Sequence, residues 1–132
     1  VTMPAVRAWL AAHPDRAAEV MHQNASYVFF RELDGEEGPL GAQNVPLTPG
    51  RSLAVDRTLI PLGAPLWLDT VDPLDMSRPL RRLMVAQDTG GAIRGPVRGD
   101  FFWGHGEDAE QRAGVMKSPG RYYVLLPKPE VQ

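Results

Sequence analysis

Apolar residues near the start of the chain recur at helical spacing. Thr2 is placed to cap a helix that has Pro4 in its first turn. The intervals between its apolar residues predict one buried face, which consists of Val6, Trp9 and Leu10. The His-Pro pair at positions 13 and 14 ends this helix, because the residue before a proline is disfavoured in the helical conformation.

A second helix is predicted from Asp15 to about Gln23, with its stop at Asn24. The next apolar run, Tyr27–Phe30, has the length and the aromatic content of a buried strand. The sequence therefore predicts two short helices followed by the first strand.

Beyond residue 34 the pattern changes to short apolar runs separated by turn residues. A loop rich in glycine and proline covers positions 34–50. Four further strands are predicted at Ser52–Val55, Pro65–Val71, Leu80–Gln87 and Arg121–Leu126. Short strands joined by variable loops favour a small closed barrel, because closure removes exposed edges. The predicted organisation is a helical lead-in at 1–25 and a β-barrel at 26–132.

Composition narrows the classes of protein to consider. With 132 residues and 43% hydrophobic content, one core can form, and no apolar run is long enough for a membrane helix or typical of a signal peptide. A formal net charge of -2 gives no electrostatic argument for a nucleic-acid partner. The absence of cysteine excludes disulfides, thiolate catalysis and cysteine metal ligands.

The segment 83–104, LMVAQDTGGAIRGPVRGDFFWG, carries the strongest candidate chemistry. Asp88 follows a strand-like run, and Asp100 precedes an aromatic one. Four glycines lie between them, and glycine permits close approach and unusual backbone angles. This pattern predicts a shaped site with two carboxylates. A long hairpin loop with two solvated acids is the alternative.

Several stretches together resemble a known family. TMPAVRAWL and NASYVFF, then VPLTPGRSLAVDRTLIPLG, MVAQDTGGAIRGPVRGDFFWG and GEDAEQRAGVMKSPGRYYVLLP, occur in the order found in the C-terminal part of the MltA-type lytic murein transglycosylases. That part includes the 3D domain, which is named for three aspartates. In this chain they correspond to Asp56, Asp88 and Asp100.

The resemblance implies a mainly β fold, a six-stranded double-ψ β-barrel with a short helical lead-in. It also implies an enzyme that cleaves the MurNAc–GlcNAc β-1,4 bond of peptidoglycan without water and leaves a 1,6-anhydromuramoyl end. The last aspartate of the family's three is the acid/base, so this role falls to Asp100. Asp88 becomes its neighbour and Asp56 a more distant supporting residue, and no cofactor or metal is implied.

A single carboxyl suffices for this reaction because the nucleophile is the C6 hydroxyl of the same sugar. The carboxyl must be protonated when substrate arrives. We expect partial burial by the aromatic run 101–103 and an ionised Asp88 within a few ångströms to favour the neutral form of Asp100.

Contacts to the glycan are expected from aromatic surfaces and from polar groups in the loops. The predicted substrate-binding residues are Trp103, Gln43, Thr48, Gly90, Gly91 and Arg94. Trp67 is a weaker candidate that we expect in the core, and Arg98 is a candidate for contacts with peptide carboxylates.

The resemblance also implies where the protein acts and with what. Its partners are peptidoglycan glycan strands, and its location is the periplasm or the outer membrane of a bacterium. The whole family members contain additional N-terminal sequence and an inserted second β-domain. We expect this chain to begin after that insert and to lack one wall of the glycan groove.

Two other classes of function stay open at this point. Asp88-Thr89-Gly90 is the motif of retroviral-type aspartic proteases, although polar Gln87 precedes it here. A non-catalytic module that binds polysaccharide is the other class. A calcium loop around Asp72 is disfavoured, because the glycine and the bidentate glutamate of such loops are missing.

Overall fold

The computed structural model describes residues 2–29 and 38–128. The chain divides into two compact units, Val1–Glu36 and Glu37–Gln132. The predicted domain boundary at 25/26 stays a prediction. No helix in the described ranges has both the length and the apolar character needed to cross a membrane.

The first unit contains two helices, α1 (Met3–Ala12) and α2 (Pro14–Met21), as predicted. The side chain of Thr2 accepts a hydrogen bond from the Ala5 N–H at 3.4 Å, which satisfies one free donor of the first turn. The predicted apolar face exists but is not buried. Instead, it lines an open cavity of about 780 Å³, with Val6 37% and Trp9 36% exposed.

The prediction of a strand at Tyr27–Phe30 is wrong for the residues that the structure describes. Residues 26–29 form no strand, and Tyr27 and Phe29 are 84% and 85% exposed. Phe30 lies outside the described residues. An apolar run becomes a strand only when a neighbour satisfies its backbone N–H and C=O groups, and sequence pattern alone does not provide that neighbour.

The second unit is built on one five-stranded sheet with the order β4-β1-β3-β2-β5. Its strands are β1 (Ser52–Val55), β2 (Pro65–Val71), β3 (Pro79–Asp88), β4 (Gly99–Phe101) and β5 (Gly120–Val124). β1 and β3 are parallel, and the other neighbours are antiparallel. The sequence did not predict β4, because three residues are too few to show a period.

The core lies on one face of this sheet. In β2, Leu66 and Leu68 point inward, whereas Trp67 and Asp69 point outward, as alternation requires. The largest fully buried side chains are Leu53, Leu66, Met84, Val55 and Ser52. Trp67 is therefore not the core residue that the sequence suggested. It is 41% exposed and lies opposite Leu83 and Tyr123 on the outer face.

The fold is mainly β, and the sheet curls into half a barrel. β4 and β5, the two edge strands, both line a small cavity of about 70 Å³. The Tyr122 hydroxyl of β5 bridges this gap by donating to the Pro96 carbonyl at 2.5 Å. Five strands pair in the described part of the chain, so the six strands of a double-ψ barrel are not confirmed.

A third helix, α3 (Glu107–Val115), was not predicted. The sequence nevertheless has two features typical of a helix here, the acidic residues of the first turn and Arg112 in the last turn. The Arg112 guanidinium bonds Asp72 at 2.7 Å and Asp108 at 3.1 Å, and it lies 5.3 Å from the Trp103 ring centre. These contacts connect α3 to Asp72 in the turn between β2 and β3.

Candidate active site

Strand β1 brings two of the three family aspartates into one row. Ala54 lies opposite Asp88 on one side, in parallel β3, and opposite Asp100 on the other, in antiparallel β4. Both aspartates line a cavity of about 230 Å³ together with Ser52, Ala54 and Phe102. One strand separates them, so their Cα atoms lie about 10 Å apart by ordinary strand spacing. The two carboxylates thus converge on one cavity but have different immediate partners.

An irregularity in the pairing at the end of β3 determines the direction of the Asp88 side chain. Leu53 pairs with Ala86 and the next residue of β1 pairs with Asp88, so Gln87 is the extra residue of a β-bulge. The hydroxyl of buried Ser52 donates to the Gln87 side chain. The Asp88 carboxylate accepts a hydrogen bond from the Ala42 N–H at 3.1 Å. No local sequence pattern predicts these contacts, because they join residues far apart along the chain.

Asp100 occupies the middle of β4 and is more exposed than we expected. Its side chain is 51% exposed, and Arg98 Nε donates to its Oδ1 at 2.9 Å. This hydrogen bond and the charge of Asp100 raise the pKa of Arg98. Of the aromatic run, Phe101 points into the core, where Trp103 packs on it at 4.3 Å between ring centres. Phe101 and Phe102 both line the aspartate cavity, yet half of the Asp100 side chain stays exposed, so the predicted burial of Asp100 is not found.

Asp56, the first of the three aspartates, is a buried anchor. Its Oδ1 accepts hydrogen bonds from the Thr58 hydroxyl at 2.7 Å and the Thr58 N–H at 3.0 Å, and its Oδ2 accepts one from the Gly95 N–H at 2.9 Å. These bonds lower the pKa of Asp56 to about 2, and the hydrogen bond from the Thr58 hydroxyl makes the largest contribution. Arg94 adds a weaker attraction at 4.0 Å. Asp56 thus ties the end of β1 to the glycine-rich loop that leads to Asp100.

The predicted substrate-binding residues lie in several places around this cavity. Gln43 and Thr48 are exposed in the loop that crosses Asp88, and Gly91 is exposed in the loop between β3 and β4. Gly90 lies close to Ile93, which lines the aspartate cavity. Trp103 lines a neighbouring cavity of about 220 Å³ that also contains Arg98 and Asp100.

Trp103 is less available for stacking than its sequence position suggested. It is half-buried, and its indole N–H points to the Met116 sulfur at 3.2 Å. Residues that sequence reasoning missed are Ser52, Gln87, Ala42 and Tyr122.

The region that contains the aspartate cavity matches a known protein family. A family model described as "3D domain" matches residues 51–126. This range includes all three aspartates and all five strands. The chain belongs to the 3D domain family. Because this model covers more than half of the chain, the resemblance seen in the sequence is confirmed, and the aspartic-protease alternative loses its support.

The chain is similar over nearly its whole length to proteins named membrane-bound lytic murein transglycosylase A. It is 39% identical over 136 residues to membrane-bound lytic murein transglycosylase A of Escherichia coli, a match that covers 98% of this chain and 36% of the relative. In structure it is similar to MltA from Neisseria gonorrhoeae, with TM-score 0.84, 47% identity and coverage of 96% and 32% of the two chains. It is also similar to E. coli MltA with bound chitohexaose, with TM-score 0.87, 37% identity and coverage of 98% and 40%.

The chain corresponds to only part of each of these relatives. It spans about a third of the length of the relatives that it matches. A second family model, "MltA specific insert domain", matches residues 1–31. Our expectation that the chain begins after the insert is therefore wrong, because α1 and α2 belong to the matched part of that insert domain.

Proposed function

We propose that this chain carries the acid/base site of a peptidoglycan lytic transglycosylase. The observation that carries the proposal is the shared cavity of Asp88 and Asp100 on either side of β1, within a 3D domain. Relatives named lytic murein transglycosylase support the substrate class. The bond cleaved is the β-1,4 bond between MurNAc and GlcNAc.

Asp100 acts first as the acid. Its carboxyl gives a proton to the glycosidic oxygen while the bond from that oxygen to C1 of MurNAc breaks. The C6 hydroxyl of the same MurNAc then bonds to C1, and the Asp100 carboxylate takes the hydroxyl proton. The products are a GlcNAc end with a free hydroxyl and a 1,6-anhydromuramoyl end. Water is not consumed, and Asp100 recovers its proton.

The other two aspartates support this step in different ways. Asp88 contributes negative charge to the same cavity and is oriented by Ala42. Asp56 holds the glycine-rich loop through Gly95 and so fixes the approach to Asp100. Hydrogen-bonding and stacking contacts with the glycan are assigned to Gln43, Thr48, Gly90, Gly91, Arg94 and Trp103.

Glycan strands are the proposed partner, and the bound chitohexaose of the E. coli relative supports a glycan ligand. The relatives contain further sequence beyond the matched third, and we propose that equivalent sequence forms the other wall of the groove. The relatives are named membrane-bound, which supports a location at the outer membrane facing the periplasm.

The test is mass analysis of soluble products from purified sacculi treated with the chain. The expected product ends are one water lighter than reducing ends. Reducing ends would indicate a hydrolase and contradict the proposed chemistry. Binding to sacculi without any product would instead favour the non-catalytic polysaccharide-binding function.

A further inference from the structure

Arg98 forms an ion pair with Asp100 beside the 220 Å³ cavity that both residues line. Its Nε lies 2.9 Å from Asp100 Oδ1, and both side chains are about half exposed. Arg98 directly precedes β4 and stands two positions before Asp100.

The backbone that carries Arg98 is held from two directions. From the end of β1, Asp56 Oδ2 accepts a hydrogen bond from the Gly95 N–H at 2.9 Å. From β5, the Tyr122 hydroxyl donates to the Pro96 carbonyl at 2.5 Å and lies 3.5 Å from the Arg98 carbonyl. Burial, followed by the charge of Asp56, raises the pKa of Tyr122, so it stays a neutral donor. The position of Arg98 is thus set by tertiary contacts.

We propose that Arg98 is a positioning residue for Asp100: it orients the carboxyl and stabilises the carboxylate that forms when Asp100 gives up its proton. Tyr122 and Asp56 hold the loop that presents Arg98. The proposal rests on the proposed function, in which Asp100 is the acid and then the base. It replaces the expectation that Arg98 contacts peptide carboxylates of the substrate.

The charges around Asp100 decide the direction of the effect. Arg98 faces it from the preceding loop, and Asp88 faces the same cavity from the end of β3. β1 contributes uncharged Ala54 between them. Arg98 is in direct contact, whereas Asp88 lies a strand away, so the attraction to Arg98 exceeds the repulsion by Asp88. Removing Arg98 therefore removes the cation that stabilises the Asp100 carboxylate as it forms.

The experiment compares four single variants of the chain: Arg98→Gln, Arg98→Lys, Tyr122→Phe and Arg81→Gln. Arg81 is the matched control, because its Nε also lies 2.9 Å from an aspartate Oδ1, that of Asp69, on the same sheet outside the cavity. Exposed pairs contribute little to stability, so the Arg98 and Arg81 variants keep their fold, and melting curves check this.

Two readouts are recorded at one fixed pH. The first is the rate of release of anhydro-muropeptides against the amount of sacculi, and the second is the carbon-13 chemical shift of the Asp100 carboxyl. In Arg98→Gln the maximal rate should fall by about tenfold, while the amount of sacculi that gives half of that rate stays the same. The Asp100 carboxyl signal should move, because the hydrogen bond from Arg98 Nε is lost. Arg98→Lys should restore most of the rate, and Tyr122→Phe should lower it by less than Arg98→Gln does.

Equal maximal rates and an unchanged Asp100 carboxyl signal in Arg98→Gln and Arg81→Gln would overturn the proposal. The carboxyl signal does not depend on turnover. If it moves in Arg98→Gln and not in Arg81→Gln while no variant and no parent chain releases product, the positioning role holds and the proposed function fails. If product is released and Arg98→Gln changes neither readout, the proposed function holds and the positioning role fails.

Discussion

The carboxylate of Asp88 accepts a hydrogen bond of 3.1 Å from the backbone N–H of Ala42, which joins the loop before β1 to the end of β3. The approach is close because Gly41 has no side chain. A Cβ placed there would lie 2.4 Å from the Gln87 carbonyl oxygen and 2.6 Å from the Leu47 side chain. The orientation of Asp88 therefore depends on a glycine far away in the sequence.

Replacing Gly41 with alanine should displace this loop, because a carbonyl of a paired strand cannot move aside easily. We expect a loss of about 1–3 kcal/mol in the free energy of unfolding, the range for overpacked sites. Faster amide hydrogen exchange at Ala42 should accompany it. Gly91→Ala is the matched control, since its Cβ would meet nothing within 4 Å, and its effect should stay within about 0.5 kcal/mol. Equal effects of the two variants would contradict the close-approach argument.

Asp56 should make stability depend on acid pH. Its pKa is about 2 in the folded chain, below the ordinary value of 3.8, so the unfolded chain takes up its proton at higher pH than the folded chain does. The stabilisation is complete above about pH 4 and is lost as pH falls toward 2. Denaturant unfolding at pH 6, 4 and 2.5 should show a steeper loss in the parent chain than in Asp56→Asn.

The same variant tests the anchoring role of Asp56. Asparagine can accept from Thr58, but its amide group would face the Gly95 N–H, so one donor loses its acceptor. Asp56→Asn should thus be less stable than the parent at pH 6. Parallel pH profiles for the two proteins would show that Asp56 is not a source of the acid dependence.

Asp100→Asn should abolish release of anhydro-muropeptides while the fold and most glycan affinity remain. Asparagine keeps the size of the side chain but cannot give or recover a proton. General acid–base assistance contributes about 10²- to 10⁴-fold, and one group serves both steps here, so we expect a loss at the upper end. Product release and melting curves are the measurements.

Asp88→Asn should be milder, because Asp88 influences the charge in the cavity and is not the group that transfers the proton. Both variants are assayed together on the same sacculi. An active Asp100→Asn beside an inactive but folded Asp88→Asn would reverse the two proposed roles.

Arg112 should stabilise the second unit through α3. It forms an ion pair with Asp72, which is only 6% exposed, and its guanidinium lies over the Trp103 ring. Arg112→Met should leave that carboxylate without its cation and lower the melting temperature more than Arg81→Met, whose partner Asp69 is more exposed. The double variant Arg112→Met with Asp72→Asn should recover part of the loss. Equal melting temperatures for the two single variants would show that the α3 contact does not stabilise the fold.

The sequence by itself determined the elements whose signals are local. The cap at Thr2 and the prolines near the helix starts specify α1 and α2, and turn residues around short apolar runs specify β1, β2, β3 and β5 within one or two residues. The order of the motifs around the three aspartates was sufficient to recognise the family. These features are readable because capping, periodicity and turn chemistry act over a few residues.

Tertiary structure decided which segments pair and which side chains are buried. The apolar run at 27–30 predicted a strand, yet its described part is exposed, whereas the three residues of β4 form a strand because β1 provides a partner. Asp88 and Asp100 share a cavity because β1 pairs in parallel with one strand and antiparallel with the other. Asp100 is not buried as predicted; it forms an ion pair with Arg98 instead. Register, bulges and exposure depend on contacts between residues far apart in the chain, and no local pattern encodes them.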